Sequence, residues 1–548
     1  MSRLTKLGWA GAVAVPALFL LGFFAWPVGE MLVRGFVDDA GSLDLSGFGE
    51  VLGQKRTWRI VGQTLWMAAA GTLGSVALGV PGAWVLYRLR FPGRGLARAI
   101  VSVPFVLPTV VVGIAFRTVL RDDGWYGFLG LDGTTTAVVL AMVFFNFSVV
   151  VRTVGTMWAG LDPRQEEAAR TLGASPWRAF RTVTLPQLGP SIAAAGALVF
   201  LFCSTAYGIV MTLGRPGYGT LESEIWIQTT TFLDLRTASV LSVLQFVIVL
   251  VALVVSSRLT ASTETSLKMR AAADRPVRRG DLPLVAGVLA IVVGLLVMPM
   301  LALVVGSLTK DGQLTLHNYR VLGEAGAGFT GGTSVLEAIE HSVKIAFDAT
   351  WIALLVGVPL ALVLSRRVRD PKLAAAQRFL DGFVLLPLGI SAVTVGFGYF
   401  ISLDRPPLDL QGSPMLVPLA QAVVALPMVV RALVPVLRAI DPRMREAAAT
   451  LGAGPGRVLW TIDLPFMARG LGLAVGFAFA ISLGEFGATS FLSSPDYQTL
   501  PVLIVRLLGR PGSDNYGMAL AGAVILAAVT AGVMMAAQLL QPKEARRG

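Results

Sequence analysis

Residues 162–186 read DPRQEEAARTLGASPWRAFRTVTLP, and residues 441–465 read DPRMREAAATLGAGPGRVLWTIDLP. Glu167, Ala168, Ala169, Leu172, Gly173, Leu185 and Pro186 recur 279 positions later as Glu446, Ala447, Ala448, Leu451, Gly452, Leu464 and Pro465, with no gap in the 25 residues. Each copy is polar and Arg-rich, and each lies between long apolar stretches. A polar loop present twice inside an apolar chain reads as a docking surface. Locally it reads as a short helix, a tight turn and a second short helix. Asp162 followed by Pro163 is an N-cap with proline at the first helical position, where its missing N–H costs nothing. Gln165 is placed to complete a capping box, which its counterpart Met444 cannot do. Gly173 is the expected left-handed terminator. Ser175-Pro176 starts the second helix, which Leu185-Pro186 is expected to stop. The second copy repeats the plan with Asp441-Pro442, Gly452 and Gly454-Pro455. Glu167 is expected in the first turn, on the favourable side of the helix dipole. Ala168 and Ala169 leave a small face that a partner can approach closely.

With 548 residues, 55% of them hydrophobic and only 14% charged, the chain is far more apolar than a soluble domain. A mean hydropathy of +0.71 excludes a soluble protein with a single anchor. The net charge of +12 is distributed in short basic clusters between apolar stretches, which excludes a nucleic-acid patch. The one cysteine, Cys203, cannot form an intramolecular disulfide, and the two histidines, His317 and His341, cannot make a His-rich metal site. None of the seven lysines follows a glycine, so there is no Gly-Lys-Ser/Thr phosphate cradle. Nothing resembles a Ser-His-Asp set. The chain is therefore expected to carry no catalytic residue, no metal ligand set and no cofactor of its own.

A membrane-crossing helix needs roughly 20 apolar residues. Such stretches fall at approximately 8–33, 60–87, 99–120, 135–159, 187–213, 235–257, 283–308, 339–365, 379–402, 414–437, 470–493 and 516–540, twelve in all. The first follows Arg3 and Lys6, but its apolar run is too long for a signal peptide and ends in no clean cleavage site, so it reads as a retained span. Lys and Arg mark cytoplasmic loops. They gather at Arg88, Arg90, Arg94 and Arg98, in both copies of the loop, at Lys268, Arg270, Arg275, Arg278 and Arg279, and at Arg366, Arg367, Arg369 and Lys372. Alternate loops are poorer, with Arg405 alone between the ninth and tenth spans. By this rule both termini and both loop copies face the cytoplasm.

The repeat extends beyond the loop. Pro108 matches Pro387, Arg152 matches Arg431, Gly208 matches Gly487 and Thr220-Leu221 matches Thr499-Leu500, all at an offset of 279, while Gly79-Val80-Pro81 matches Gly357-Val358-Pro359 at 278. An even number of spans per half gives both halves the same orientation. The expected organisation is an all-α membrane protein of about twelve transmembrane helices in two parallel six-helix halves. The first half covers 1–257 with its loop at 162–186, a charged cytoplasmic linker covers 258–282, and the second half covers 283–548 with its loop at 441–465.

Both loop copies resemble the EAA loop of bacterial ABC importer permeases: Glu-Ala-Ala, glycine six positions after the Glu, and Leu-Pro at 18 and 19 after it. The resemblance implies that each loop is a coupling helix docked in a groove of a cytoplasmic ATPase. The coupling residues would then be Glu167, Ala168, Ala169 and Gly173 in one copy and Glu446, Ala447, Ala448 and Gly452 in the other. It also implies two partners, a homodimeric cytoplasmic ABC ATPase that binds ATP and Mg and an extracytoplasmic solute-binding protein. The location would be the bacterial inner membrane, in contact with lipid and not with nucleic acid. Alternatively, the two copies are connectors retained for packing. A major-facilitator secondary transporter shares the twelve-span, two-half plan, but normally has a basic Gly-x-x-x-Asp motif after the second span. Here that loop reads YRLRFPGRGLARA, without an acid.

Two halves in one chain resemble the fused permeases for ferric iron and for thiamine. FPGRG at 91–95, TLESEI at 220–225, LGEFGA at 483–488 and YQTLP at 497–501 resemble the thiamine members, although GEFGA also occurs in molybdate and sulfate permeases. The solute is thus thiamine or ferric iron, with an oxyanion third. Carboxylates within spans usually face a bundle interior or a water-filled cavity. Glu485 and Asp348 are therefore the candidate pathway residues, and for Glu485 a hydrogen bond to a neighbouring helix is the alternative.

Overall fold

The structure is a computed structural model that describes residues 3–37, 42–215, 218–263, 274–327, 332–366, 368, 370–403, 409–410 and 412–539. The basic residues Lys268, Arg270, Arg367, Arg369 and Arg405, part of the expected 258–282 linker and the last residue of the expected twelfth span lie outside the described residues.

Among the described residues, nine helices are long and apolar enough to cross a membrane: Val13–Arg34, Lys55–Arg88, Thr135–Gly160, Pro176–Ser204, Leu235–Leu259, Arg279–Ser307, Val335–Leu364, Leu416–Arg438 and Ser513–Leu539. Two further spans are bent pairs, Pro371–Pro387 with Ala392–Ser402 at 91° and Pro455–Ala468 with Gly470–Gly484 at 58°, which brings the number to eleven. The expected span 99–120 is not one helix. Arg94–Ser102 is followed by a non-helical stretch and then by Thr109–Leu120. The cause is local. Pro104 and Pro108 remove two backbone donors within five residues and push the residues before them out of helical geometry. The expected spans 187–213 and 470–493 are also divided. Leu185–Ser204 gives way to Tyr207–Leu213, and Leu464–Gly484 gives way to Thr489–Leu492.

The chain forms two compact units, one of residues 1–48, 225–242 and 316–548, the other of 49–224 and 243–315. These do not coincide with the halves read from the repeat. In the first unit the opening helices Arg3–Leu20 and Trp26–Arg34 pack on Val335–Leu364 and Ala392–Ser402, which belong to the other half of the sequence. Tyr399 donates its hydroxyl to the Phe23 carbonyl at 2.6 Å, and Gly398 lies against the backbone of Pro27. In the second unit Leu282–Ile291 and Met298–Ser307 pack on Lys55–Arg88 and Thr109–Leu120, with Tyr126 donating to the Gly294 carbonyl at 2.9 Å. The opening helix of each half is thus built into the bundle of the other. Both opening helices contain a π turn, Leu21–Ala25 and Val292–Val297.

Small residues set the helix spacing in each bundle. Gly71, Gly79 and Gly82 of Lys55–Arg88 face Met142, Val150 and Phe147 of Thr135–Gly160, and Gly357 of Val335–Leu364 faces Val429 of Leu416–Arg438. Close backbone approach replaces the hydrophobic drive that lipid cannot supply between helices. Outward positions such as Leu73 and Leu355 are 70% and 65% exposed, as lipid-facing side chains must be. Beyond each broken span a short helix returns, Leu221–Thr230 in the first half of the sequence and Leu500–Leu508 in the second. Matched hydroxyls hold their first turns: Thr64 accepts from the Leu221 N–H at 3.0 Å, and Ser342 accepts from the Leu500 N–H at 2.7 Å.

Candidate functional site: the duplicated loop and the buried carboxylates

The two loop copies adopt the same geometry. Asp162 and Asp441 cap the helices Pro163–Thr171 and Pro442–Thr450 by accepting from the N–H of Arg164 and Arg443. Gly173 and Gly452 have φ of +88° and +80°, the left-handed conformation expected for a terminator. The N–H of Gly173 donates to Arg170 O and that of Ala174 to Ala169 O; Gly452 and Ala453 donate to Ala449 O and Ala448 O in the same way. This pair of bonds is a Schellman motif, so the second alanine of each Glu-Ala-Ala supplies the carbonyl on which the helix closes. The second short helices, Pro176–Ala179 and Pro455–Val458, also start where expected.

Three local expectations need correction. Leu185-Pro186 and Leu464-Pro465 do not stop the second helix. It runs through π turns, Phe180–Thr184 and Leu459–Asp463, into the long helices that follow. In the π turn the Leu185 N–H donates to Phe180 O, five residues back, so the regular bonding pattern is already interrupted where Pro186 lacks its donor. Gln165 does not close a capping box; its Oε1 accepts from Gln187 Nε2 at 2.7 Å. The acid in the first turn is Glu166, with Glu167 one residue beyond it.

Glu167, Ala168, Glu446 and Ala447 are exposed, while Ala169 and Ala448 are half-buried beneath them. The matched leucines Leu172 and Leu451 are 89% and 88% exposed at the ends of the helices. Polar loops carrying outward-pointing leucines at equivalent places fit partner surfaces better than solvent. The first loop also faces the end of the linker. Leu89–Arg90 pairs in parallel with Arg275–Pro276, and a cavity of about 1060 Å³ lies between them and the loop, lined by Trp84, Trp158, Glu167, Arg170 and Trp177 among others. Arg275 pairs bidentately with Asp281, at 2.6 and 2.9 Å.

Glu485 lies at the break in its span, 6% exposed. Its Oε1 accepts from the Ala488 N–H at 2.8 Å, and its Oε2 from the Thr489 N–H at 3.0 Å and from the Thr489 hydroxyl. Both oxygens thus cap the short helix Thr489–Leu492, and a solute would have to compete with that cap. In Glu485→Gln the amide nitrogen cannot accept, so one buried N–H loses its partner at about 1–3 kcal/mol. We expect the yield of folded protein to fall while uptake per folded molecule stays within about twofold. Normal yield with lost uptake would instead put Glu485 in the pathway. Asp348 is half-buried in the middle of Val335–Leu364. It lies near the hydroxyl of Tyr497, which burial, together with Asp348 and Glu340, raises above its usual range. The Tyr497 ring packs on His341 at 4.2 Å. No group of three or more His, Cys, Asp or Glu side chains able to hold a metal ion occurs among the described residues.

Two carboxylates were not singled out from the sequence. Glu222 and Glu224 are 1% and 5% exposed on Leu221–Thr230. Glu224 pairs with Arg56 at 3.0 Å, and Gln245 lies between Glu222 and the Ser204 carbonyl. The available signal was asymmetry within the repeat, because the equivalent positions are Pro501 and Leu503.

Residues 75–305 match the family described as binding-protein-dependent transport system inner membrane component. The thiamine transport system permease protein ThiP of Brucella suis biovar 1 is 29% identical over 488 residues, 84% of each chain. That of Escherichia coli K12 is 27% identical over 469 residues, 84% of this chain and 85% of its own. A solved bacterial ABC transporter that imports the acidic polysaccharide alginate aligns with 48% of this chain and 100% of its own, at 16% identity and a TM-score of 0.41. The chain is thus similar to inner-membrane permeases of binding-protein-dependent transport systems, by the family match over residues 75–305 and by its relatives through both halves of the one polypeptide. It is a multi-pass membrane protein, and its curated relatives are transport permeases matched across both halves.

Proposed function

We propose that this chain forms the membrane pathway of an ATP-driven thiamine importer. A binding protein outside delivers the solute, and a separate homodimeric ATPase, carrying ATP and Mg, docks on the two loops from the cytoplasm. The observation that carries the solute assignment is similarity to thiamine permeases over 84% of the chain, through both halves. The ATPase assignment is supported by the loop built twice with the same caps, Schellman closures and exposed leucines. Glu167, Ala168, Ala169 and Gly173, with Glu446, Ala447, Ala448 and Gly452, form the docking elements. Uptake of labelled thiamine and of ferric iron in a strain lacking its own importers tests the solute. Thiamine uptake that requires this chain is expected; uptake of ferric iron alone would overturn the assignment.

In this reading both termini and both loops are cytoplasmic, and twelve spans result if the divided 99–120 segment counts as one. In a Cys203→Ser background, Ser175→Cys and Gly454→Cys should react with a membrane-impermeant thiol reagent only from the cytoplasmic face. Gly412→Cys should react only from outside. Labelling of positions 175 and 454 from opposite faces would leave one loop out of reach of ATP and end the importer reading.

A further inference from the structure

At the loop-bearing end of each unit an arginine marks the end of the second long helix: Arg88 closes Lys55–Arg88, and Arg366 follows Val335–Leu364. In the second half Asp463, whose side chain has no exposed surface, sits between two arginines. Arg366 donates to Oδ2, and Arg445 Nε donates to Oδ1 at 2.9 Å. Arg445 lies on the loop helix, and its Nη2 also donates to the Leu437 carbonyl at 3.1 Å. One carboxylate thus joins the end of the second long helix, the loop helix and the π turn leading into Leu464–Gly484.

The first half uses the same three places with redistributed chemistry. Thr184 stands where Asp463 does, Glu166 stands where Arg445 does, and Arg88 corresponds to Arg366. The Thr184 hydroxyl donates to Glu166 Oε2 at 3.3 Å. Arg88, Glu166 and Thr184 line one small cavity, and Arg88 Nη1 is buried there without a hydrogen-bond partner among the described residues. The acid has moved from the π turn to the loop helix while the arginine has stayed. None of these four loop positions belongs to the residues shared by the two copies, so the repeat does not dictate an acid here. It is supplied twice, from different elements.

We propose that this buried acid, paired with Arg366 in the second half and set beside Arg88 in the first, is the tie that makes each loop helix move as one body with the end of its second long helix, and that Asp463 and Glu166 are positioning residues for coupling. The proposal rests on the reading of the loops as ATPase-docking elements. Removing the Asp463 charge takes away the carboxylate that stands between the half-buried guanidinium groups of Arg366 and Arg445, and their mutual repulsion then pushes the loop helix off the bundle. The first half shows how the tie can be rebuilt: an acid at 445 and threonine at 463.

The test compares Asp463→Thr with the double variant Asp463→Thr, Arg445→Glu. In a Cys203→Ser background, a nitroxide on Ala449→Cys, an exposed position of the loop helix, reports its motion without any partner. Solute-stimulated ATP hydrolysis per bound ATPase is measured in unlabelled protein. Asp463→Thr should shorten the label's correlation time at least about twofold and lower stimulated hydrolysis about tenfold, and the double variant should restore both to within about twofold of the parent. Unchanged label motion in Asp463→Thr, or a double variant no better than the single one, overturns the tie. Should Asp463→Thr fail to accumulate, the double variant decides alone: accumulation with parental label motion upholds the tie, and failure like the single variant overturns it. Restored label motion in a chain that captures no ATPase even in its parental form upholds the tie and removes the importer reading.

Discussion

Gly173→Pro and Gly452→Pro are each expected to abolish solute-stimulated ATP hydrolysis while leaving insertion of the chain intact. The two glycines sit at φ of +88° and +80°, and proline is confined near −65°. Each also donates the N–H that closes the loop helix, Gly173 to Arg170 O and Gly452 to Ala449 O, and proline has no N–H to donate. The helix end must therefore open, which displaces Leu172 or Leu451 and the alanines beneath. The local cost is about 3 kcal/mol or more, but it falls on a polar loop and not on a bundle, so the spans still assemble. An alanine control separates conformation from contact. No atom lies within 4 Å of the Cβ that either glycine would gain, so Gly→Ala costs only the left-handed backbone, about 1–2 kcal/mol. Stimulated hydrolysis in reconstituted vesicles should fall in the order parent, alanine, proline. Parental stimulation in both proline variants would dismiss the loops as docking elements.

Gly396→Ala should be the most damaging small substitution in the bundle. A Cβ at Gly396 would lie 2.5 Å from the Ala488 Cα and 2.8 Å from its carbonyl oxygen, both backbone atoms that cannot rotate away. The helix Ala392–Ser402 crosses the break after Glu485 at this point, and a Cβ on Gly487 opposite it would meet Ala392 Cβ at 3.0 Å and Val393 N at 3.1 Å. Overpacking of this kind costs about 1–3 kcal/mol or more, and here it also strains the Glu485 cap. In the other unit Gly113 of Thr109–Leu120 meets the side chain of Thr212, which can shift, so Gly113→Ala should be milder. Gly62, with open space at its Cβ, is the neutral control. The melting temperature of detergent-solubilised protein should drop most for Gly396→Ala and least for Gly62→Ala. Equal stability of the Gly396 and Gly62 variants would contradict the close crossing.

The features read correctly along the chain are those whose causes lie within a few residues. Asp162-Pro163 and Asp441-Pro442 start helices because cap and proline act on the first turn, and Gly173 and Gly452 end them because a left-handed residue is needed where the chain turns. Nine of the spans follow from apolar length alone. The expectations that failed depend on longer reach. Leu185-Pro186 reads as a stop, but the π turn before it absorbs the missing donor, and a π turn has no short sequence signature.

The sequence by itself determined a multi-pass helical chain, its internal duplication and the start and glycine closure of the first helix in each loop, because apolar length, capping and glycine geometry are local properties. Only the tertiary structure decided that the spans containing Ser204 and Gly484 break in mid-course, since their residues are as apolar as those of an unbroken helix. The freed backbone groups there are satisfied by side chains such as Glu485, whose role depends on where the chain turns next. Tertiary structure alone also built the opening helix of each half into the other half's bundle. The contact between Tyr399 and Phe23 joins positions 376 residues apart. Hydropathy cannot name such a partner, because every apolar helix in the chain presents the same kind of surface to lipid and packing complementarity alone selects among them.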